Sequence, residues 1–127
     1  MKALIISILC LGVLVAIWTA FDSYSDARLD GYIYEINKLV MPAVEREDWE
    51  SARAAFDRVS DDWHKYRKIS TFFFDRRLLN ETDYSIARAK YYIKAEDLSN
   101  SSGELASLKE QLTFFHSNES FNLANIF

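Results

Sequence analysis

The sequence predicts an all-α protein: an N-terminal transmembrane helix followed by a small antiparallel bundle of about four helices, counting the extension of the span as one. Three observations predict it. Residues Ala3 to Phe21 form an apolar run that no charged side chain interrupts. Beyond it, apolar residues recur at steps of three and four, the helical period. The 127 residues include three glycines and one proline, too few punctuators for a loop-rich all-β domain.

As a helix the apolar run reaches about 28 Å, close to the thickness of a bilayer's hydrocarbon core. It is longer than the apolar core of a cleaved secretory signal, about 7–15 residues. Cleavage after Ala20 would put Trp18 where a small side chain is wanted, and Ser25-Asp26-Ala27 lies well past the run. Cys10 lacks the preceding small residue of a lipoprotein signal. Residues 1–21 therefore read as an uncleaved anchor, with a cleaved signal as the alternative. Trp18 and Phe21 suit the far interface, where amphipathic rings settle. Lys2 precedes the run, while Asp22 and Asp26 follow it. Positive charge stays cytoplasmic, so a single-pass protein of the cell membrane is expected, with its amino terminus inside and residues 22–127 extracytoplasmic.

Residues 22–127 suffice for one small domain with a single core. Setting Lys2 aside from the 15 Lys and Arg leaves 14 against 19 Asp and Glu, a net of −5. That balance argues against a nucleic-acid partner, which calls for a basic face. Cys10 is the single cysteine and lies in the apolar run, which excludes disulfides and a Cys-based zinc site from the domain.

The elements follow in order. Leu29, Ile33, Ile36 and Val40 lie on one face of a helix continuous with the span. Gly31 weakens it and marks a place for a bend. Pro42 follows the last apolar position, though Ala43–Glu47 can carry another turn. Asp48 is a good N-cap for the second helix. Trp49, Ala52, Phe56, Val59, Trp63, Tyr66 and Phe73 line its buried seam at heptad spacing. Arg53, Asp57, Asp61, Lys65 and Lys68 fill the opposite face, where i,i+4 pairing accounts for the charges. A third helix starts near Asn80 or Thr82 and buries Ile86, Ala89 and Ile93, with Tyr92 beside them. Leu98–Gly103 reads as a turn, Ser101 and Glu104 as a capping box. Leu105, Leu108, Leu112 and Phe115 define a fourth helix. The tail Asn118–Phe127 folds back through Phe121, Leu123 and Ile126. There are no low-complexity segments and no convincing internal repeats.

No catalytic, cofactor or metal motif rises above background. His64 and His116 share no ligand spacing on one helix face. Asp57, Asp61 and Asp62 read as a solvated face before they read as paired carboxylates. The aromatic stripe from Trp49 to Tyr66 reads as packing core before it reads as a ligand pocket. Phe72-Phe73-Phe74-Asp75-Arg76-Arg77 is the most unusual segment. Three consecutive rings cannot all face one core from a helix. An exposed ring beside Arg76 and Arg77 suits a membrane interface or a partner surface. The bland alternative is a helix end whose rings pack under the following loop. Helices of similar length on either side of the first turn would bring this segment back to the end of the span.

The chain resembles an uncharacterised bacterial family, domain-of-unknown-function family 4363. The resemblance rests on the Lys2 start with its apolar span, on Glu47-Asp48-Trp49-Glu50 followed by Ala52, and on Trp63 two heptads later. It also includes Ser85-Ile86-Ala87-Arg88 leading to Ile93, and Asn125-Ile126-Phe127. Ala89 is smaller than the family pattern suggests, and the Phe72–Phe74 run is more aromatic. The resemblance implies a small single-span helical membrane protein without assigned enzyme activity, associated with a multi-span membrane protein. The function expected is a non-catalytic accessory or scaffold subunit that contacts membrane lipid and binds another membrane protein. A sensor bundle with an aromatic pocket between helices is the alternative, and an enzyme the third.

Overall fold

The computed structural model describes the backbone of residues 1–126 and the side chains of residues 1–115. Helix α1 runs Lys2–Glu45 as one rod, with a π-helical turn at Ile36–Val40. Helix α2 is Trp49–Ser70, α3 is Arg76–Lys94 and α4 is Leu98–Ile126. No strand occurs among the described residues. Helices α1 and α3 each pack on both α2 and α4, which closes an up-down-up-down four-helix bundle.

Helix α1 divides by its surroundings. Residues 2–20 are exposed, Trp18 alone being half-buried, and Phe21 is the first buried side chain. Among the described residues this is the one helix long and apolar enough to cross a membrane, with a mean hydropathy of 2.7 over its most apolar window. Past Phe21 the buried stripe is Leu29, Tyr32, Ile36, Val40 and Val44. Tyr32 therefore takes the core position expected of Ile33, which is half-buried. Its hydroxyl donates to the Asp62 carbonyl at 2.9 Å, and burial, then the Asp62 charge, pushes the phenol pKa well up. Steps of four from Ile36 to Val40 to Val44 would carry a straight α-helix stripe about 40° off per step. The wider π turn absorbs the drift. The N–H of Met41 reaches the Ile36 carbonyl, and Pro42, which has no N–H to give, follows at once. The irregularity lies here rather than at Gly31, which continues the helix with open space around it.

Both hairpin turns use one device. Glu47 and Glu96 have positive φ, 57° and 56°. Around them Asp48 N–H reaches the Ala43 carbonyl and Asp97 N–H the Tyr92 carbonyl, the 6→1 bond of a Schellman ending. Asp48 and Asp97 then cap the next helix through Ser51 and Asn100. Helix α4 accordingly starts at Leu98, so the expected turn over Leu98–Gly103 and its capping box do not form. Ser101 is instead buried inside the helix. Helix α3 likewise starts earlier than expected, at Arg76, because Asp75 caps it by accepting from Arg77 N–H at 2.9 Å.

The core is Phe56, Val59, Trp63, Tyr66, Ile86, Ile93, Leu105, Leu108, Leu112 and Phe115 together with the α1 stripe. Trp49, expected to be largely buried, is half-buried at the first turn of α2 and packs on the edge of this core. The two hairpins bury equivalent positions. Val40, Val44, Ala52, Phe56, Val59, Trp63 and Tyr66 each match a buried residue 49 places later, from Ala89 to Phe115. Upstream of the π turn the interval becomes 50, pairing Leu29, Tyr32 and Ile36 with Leu79, Thr82 and Ile86. The repeat is one of burial register, and the π turn is its one-residue offset. The tail residues Phe121, Leu123 and Ile126, expected to fold back, lie outside the described side chains, as does His116.

Candidate functional site

The segment from Ser70 to Arg77 closes the bundle at the end next to the apolar run. Helix α2 spans about 33 Å and the part of α1 beyond Phe21 about 36 Å, so the chain returns to the level of Phe21. Ser70 ends the helix: its hydroxyl donates to the Tyr66 carbonyl at 3.0 Å, and its own carbonyl accepts from Phe73 and Phe74 N–H, both at 2.9 Å. Below it, Ser25 and Tyr66 share a buried hydroxyl–hydroxyl bond that fastens α1 to α2.

The three consecutive phenylalanines part company here. Phe73 stacks on Phe21 with ring centroids 3.8 Å apart and meets Trp18 edge-on at 5.5 Å. Phe74 bridges Phe21 at 6.0 Å and Phe115 at 5.0 Å. Both are half-buried, so each serves the packing of the bundle end before it serves any contact outside. Phe72 points away and is 85% exposed. Arg76 is exposed, and among the described residues Arg77 pairs with Glu81, at 3.5 Å. Of the five residues predicted for an external contact, Phe72, Arg76 and Arg77 face outward. Phe114, on α4, lines a groove with Leu78 and Glu81 of α3 and is 55% exposed.

Sequence reasoning missed the polar fastening between α2 and α3. Trp63 Nε1 donates to Asp83 Oδ1 at 2.7 Å. Arg67 pairs with the other oxygen of Asp83 and reaches Asn80 Oδ1 at 2.7 Å. A tryptophan placed in a core calls for an acceptor; that demand is legible in the sequence, and the fold assigns it to Asp83. Two charges on the outer face of α2 also pair with the second hairpin: Asp57 with Lys90 of α3 at 3.6 Å, and Arg53 with Glu96 in the turn after α3 at 3.8 Å.

Among the described residues, no three His, Cys, Asp or Glu side chains converge as a metal ion requires. His64 stands exposed on α2. A cavity of about 280 Å³ opens between α3 and α4, walled by Leu78, Thr82, Phe114 and Phe115 and bordered by Glu81, Glu110 and Gln111.

A family profile described as "Domain of unknown function (DUF4363)" matches residues 23–126. No curated protein and no solved structure matches the chain.

Proposed function

The chain belongs to this family of unknown function, DUF4363, and from that premise we propose that it is a membrane-anchored, non-catalytic accessory subunit that holds another, multi-span membrane protein. The observation that carries the reading is the packing of Phe73 on Phe21, face to face, and on Trp18, edge-on. It ties the aromatic and basic end of the bundle to the last residues of the apolar run. An apolar run of this length embedded in a bilayer puts Phe72, Phe114, Arg76 and Arg77 at headgroup level. Exposed rings beside arginines suit that depth, where a ring buries its apolar body and a guanidinium meets phosphate or a partner's carboxylate. Lys2 on one flank and Asp22 and Asp26 on the other favour an extracytoplasmic bundle.

The ligand-sensor reading ranks second. It needs room along Trp49, Phe56, Trp63 and Tyr66. Trp63 there packs against Tyr32, Tyr66 and Phe115 at 5.5–6.5 Å between centroids, which leaves rings where a ligand would sit.

The test is a photo-crosslinking residue at Phe72 in the full chain, irradiated in intact membranes. The expected product is one discrete adduct with a multi-span membrane protein, lost when Arg76 and Arg77 are changed to serine. Adducts with lipid alone would overturn the subunit reading and leave a lipid-docking protein.

A further inference from the structure

Helix α4 does not stop where the bundle stops. The 49-place interval that pairs Tyr66 with Phe115 also pairs Ser70, the last residue of α2, with Glu119. At Ser70 the chain turns back, whereas α4 continues to Ile126. Phe115 fixes the height: it touches Phe74, which touches Phe21 at the end of the apolar run. Residues 116–126 add about 16 Å of helix beyond that point. Helices α1 and α4 pack on each other and run antiparallel, so this continuation descends beside the apolar run.

Charge ceases at one height on both helices. On α1 the uncharged run ends at Phe21 and Asp22 follows. On α4 Glu119 is the last charged residue before the stretch 120–126. Glu119 comes one helical turn, about 6 Å, after Phe115, which brings it to the neighbourhood of Phe21. A membrane plane imposes this coincidence, because charge is the costliest group to place in hydrocarbon. The stretch below it reads Ser-Phe-Asn-Leu-Ala-Asn-Ile. Asn122 and Asn125, three places apart, fall on one side of the helix. Amides are tolerated at such depth where a neighbouring helix offers a hydrogen-bond partner.

We propose that residues 120–126 of α4 enter the bundle-facing leaflet beside the span, with lipid acyl chains as their partner. The inference rests on the membrane-anchored reading. The inserted length is about 10 Å, a third of a hydrocarbon core of about 30 Å. A single span leaves the tilt of a protein open. A second helix end beside it pins that tilt and holds Phe72, Arg76 and Arg77 at one height.

The test uses the full chain in nanodiscs, with a nitroxide on a single cysteine. Leu123→Cys, Asn125→Cys and Ser107→Cys are each made in a Cys10→Ser chain, and the native chain is labelled at Cys10. Positions 123 and 125 lie about 200° apart round the helix and sample both its sides. Ser107, exposed on α4 within the bundle, is the aqueous reference, and Cys10 is the reference for the span. Collision with oxygen, which concentrates in hydrocarbon, is compared with collision with a water-soluble nickel chelate. The expected result is loss of nickel accessibility at both 123 and 125, with oxygen accessibility at one or both raised above that at 107. Nickel accessibility at 123 or 125 equal to that at 107 places the helix end in water and overturns the proposal. Protection from both reagents at both positions means enclosure by protein and overturns it as well. A water-accessible Cys10 overturns the anchored reading and this proposal together. A Cys10 in lipid with 123 or 125 in water overturns this proposal alone.

Discussion

Trp63 contributes its ring and its N–H through different contacts. The ring is fully buried against Tyr32, Tyr66 and Phe115, and the N–H satisfies Asp83. Trp63→Ala should destabilise the fold by about 3–5 kcal/mol, the usual cost of deleting a large buried ring, as measured by denaturant unfolding of the full chain in micelles. Trp63→Phe keeps most of the ring and should cost less. A loss under about 1 kcal/mol for the alanine variant would place the ring outside the core. Glu47 and Glu96 sit in the left-handed region at the hairpin turns, where a side chain costs about 1 kcal/mol that glycine does not. Glu47→Gly should therefore stabilise despite the added freedom of the unfolded chain, and Glu96→Gly should do so once allowance is made for its contact with Arg53. The caps that follow add a pH dependence. Hydrogen bonds from the Ser51 hydroxyl and N–H lower the Asp48 pKa, and those from the Asn100 N–H and side-chain amide lower that of Asp97. A carboxyl whose folded pKa lies below its unfolded value stabilises at pH above the unfolded value, about 3.9, and loses that contribution as pH falls through the folded value. Asp48→Asn with Asp97→Asn keeps a capping side chain and should flatten the acid limb of the stability curve below about pH 4; an unchanged limb would assign the acid sensitivity elsewhere.

Among elements, α1 is the one whose regularity breaks. Its π turn holds Ile36, Val40 and Val44 on one face, whereas α3 buries Leu79, Thr82, Ile86, Ala89 and Ile93 with ordinary helical steps. Deleting the exposed Lys38 would give α1 the stepping of α3. With Pro42→Ala to restore the missing N–H, the deletion should leave a folded bundle with lost π geometry. The same deletion at exposed Arg88 should unfold α3, since it rotates the following face by about 100°. Circular dichroism and thermal melts separate the two outcomes. A methyl group added at Gly31 would meet nothing within 4 Å. Gly31→Ala should raise stability by up to about 1 kcal/mol, and a decrease would reveal a contact at that face supplied by a partner.

At the scale of the whole molecule, one helix passes from an exposed apolar half into a buried amphipathic half without interruption. Any bundle contact therefore has a fixed height above the apolar run. On the proposed topology, an exposed position such as Arg58, replaced by cysteine in a Cys10→Ser chain, should react with a membrane-impermeant thiol reagent in intact cells. Labelling only after lysis would reverse the orientation, and a mature chain lacking residues 1–21 would make the apolar run a signal. Ser60, on the same helix, is buried and serves as the unreactive control.

The all-α class, the apolar run and the seam of Ala52, Phe56, Val59, Trp63 and Tyr66 were determined by the sequence alone, because hydrophobic period is a local property that burial then obeys. The π turn was not legible: Ile33 and Tyr32 both fit a helical stripe, and only packing against α2 and α4 chooses between them. The start of α4 was misplaced because a glutamate at positive φ is not a local preference; it is held there by the two helices that the turn must join. Identities hide the repeat, since Trp63 and Leu112 or Tyr66 and Phe115 share a place rather than a chemistry. The run Phe72-Phe73-Phe74 announced that one ring had to differ from its neighbours. Which one faces outward was decided by Trp18 and Phe21, residues more than fifty positions away, because long-range contact has no signature in a short stretch of chain.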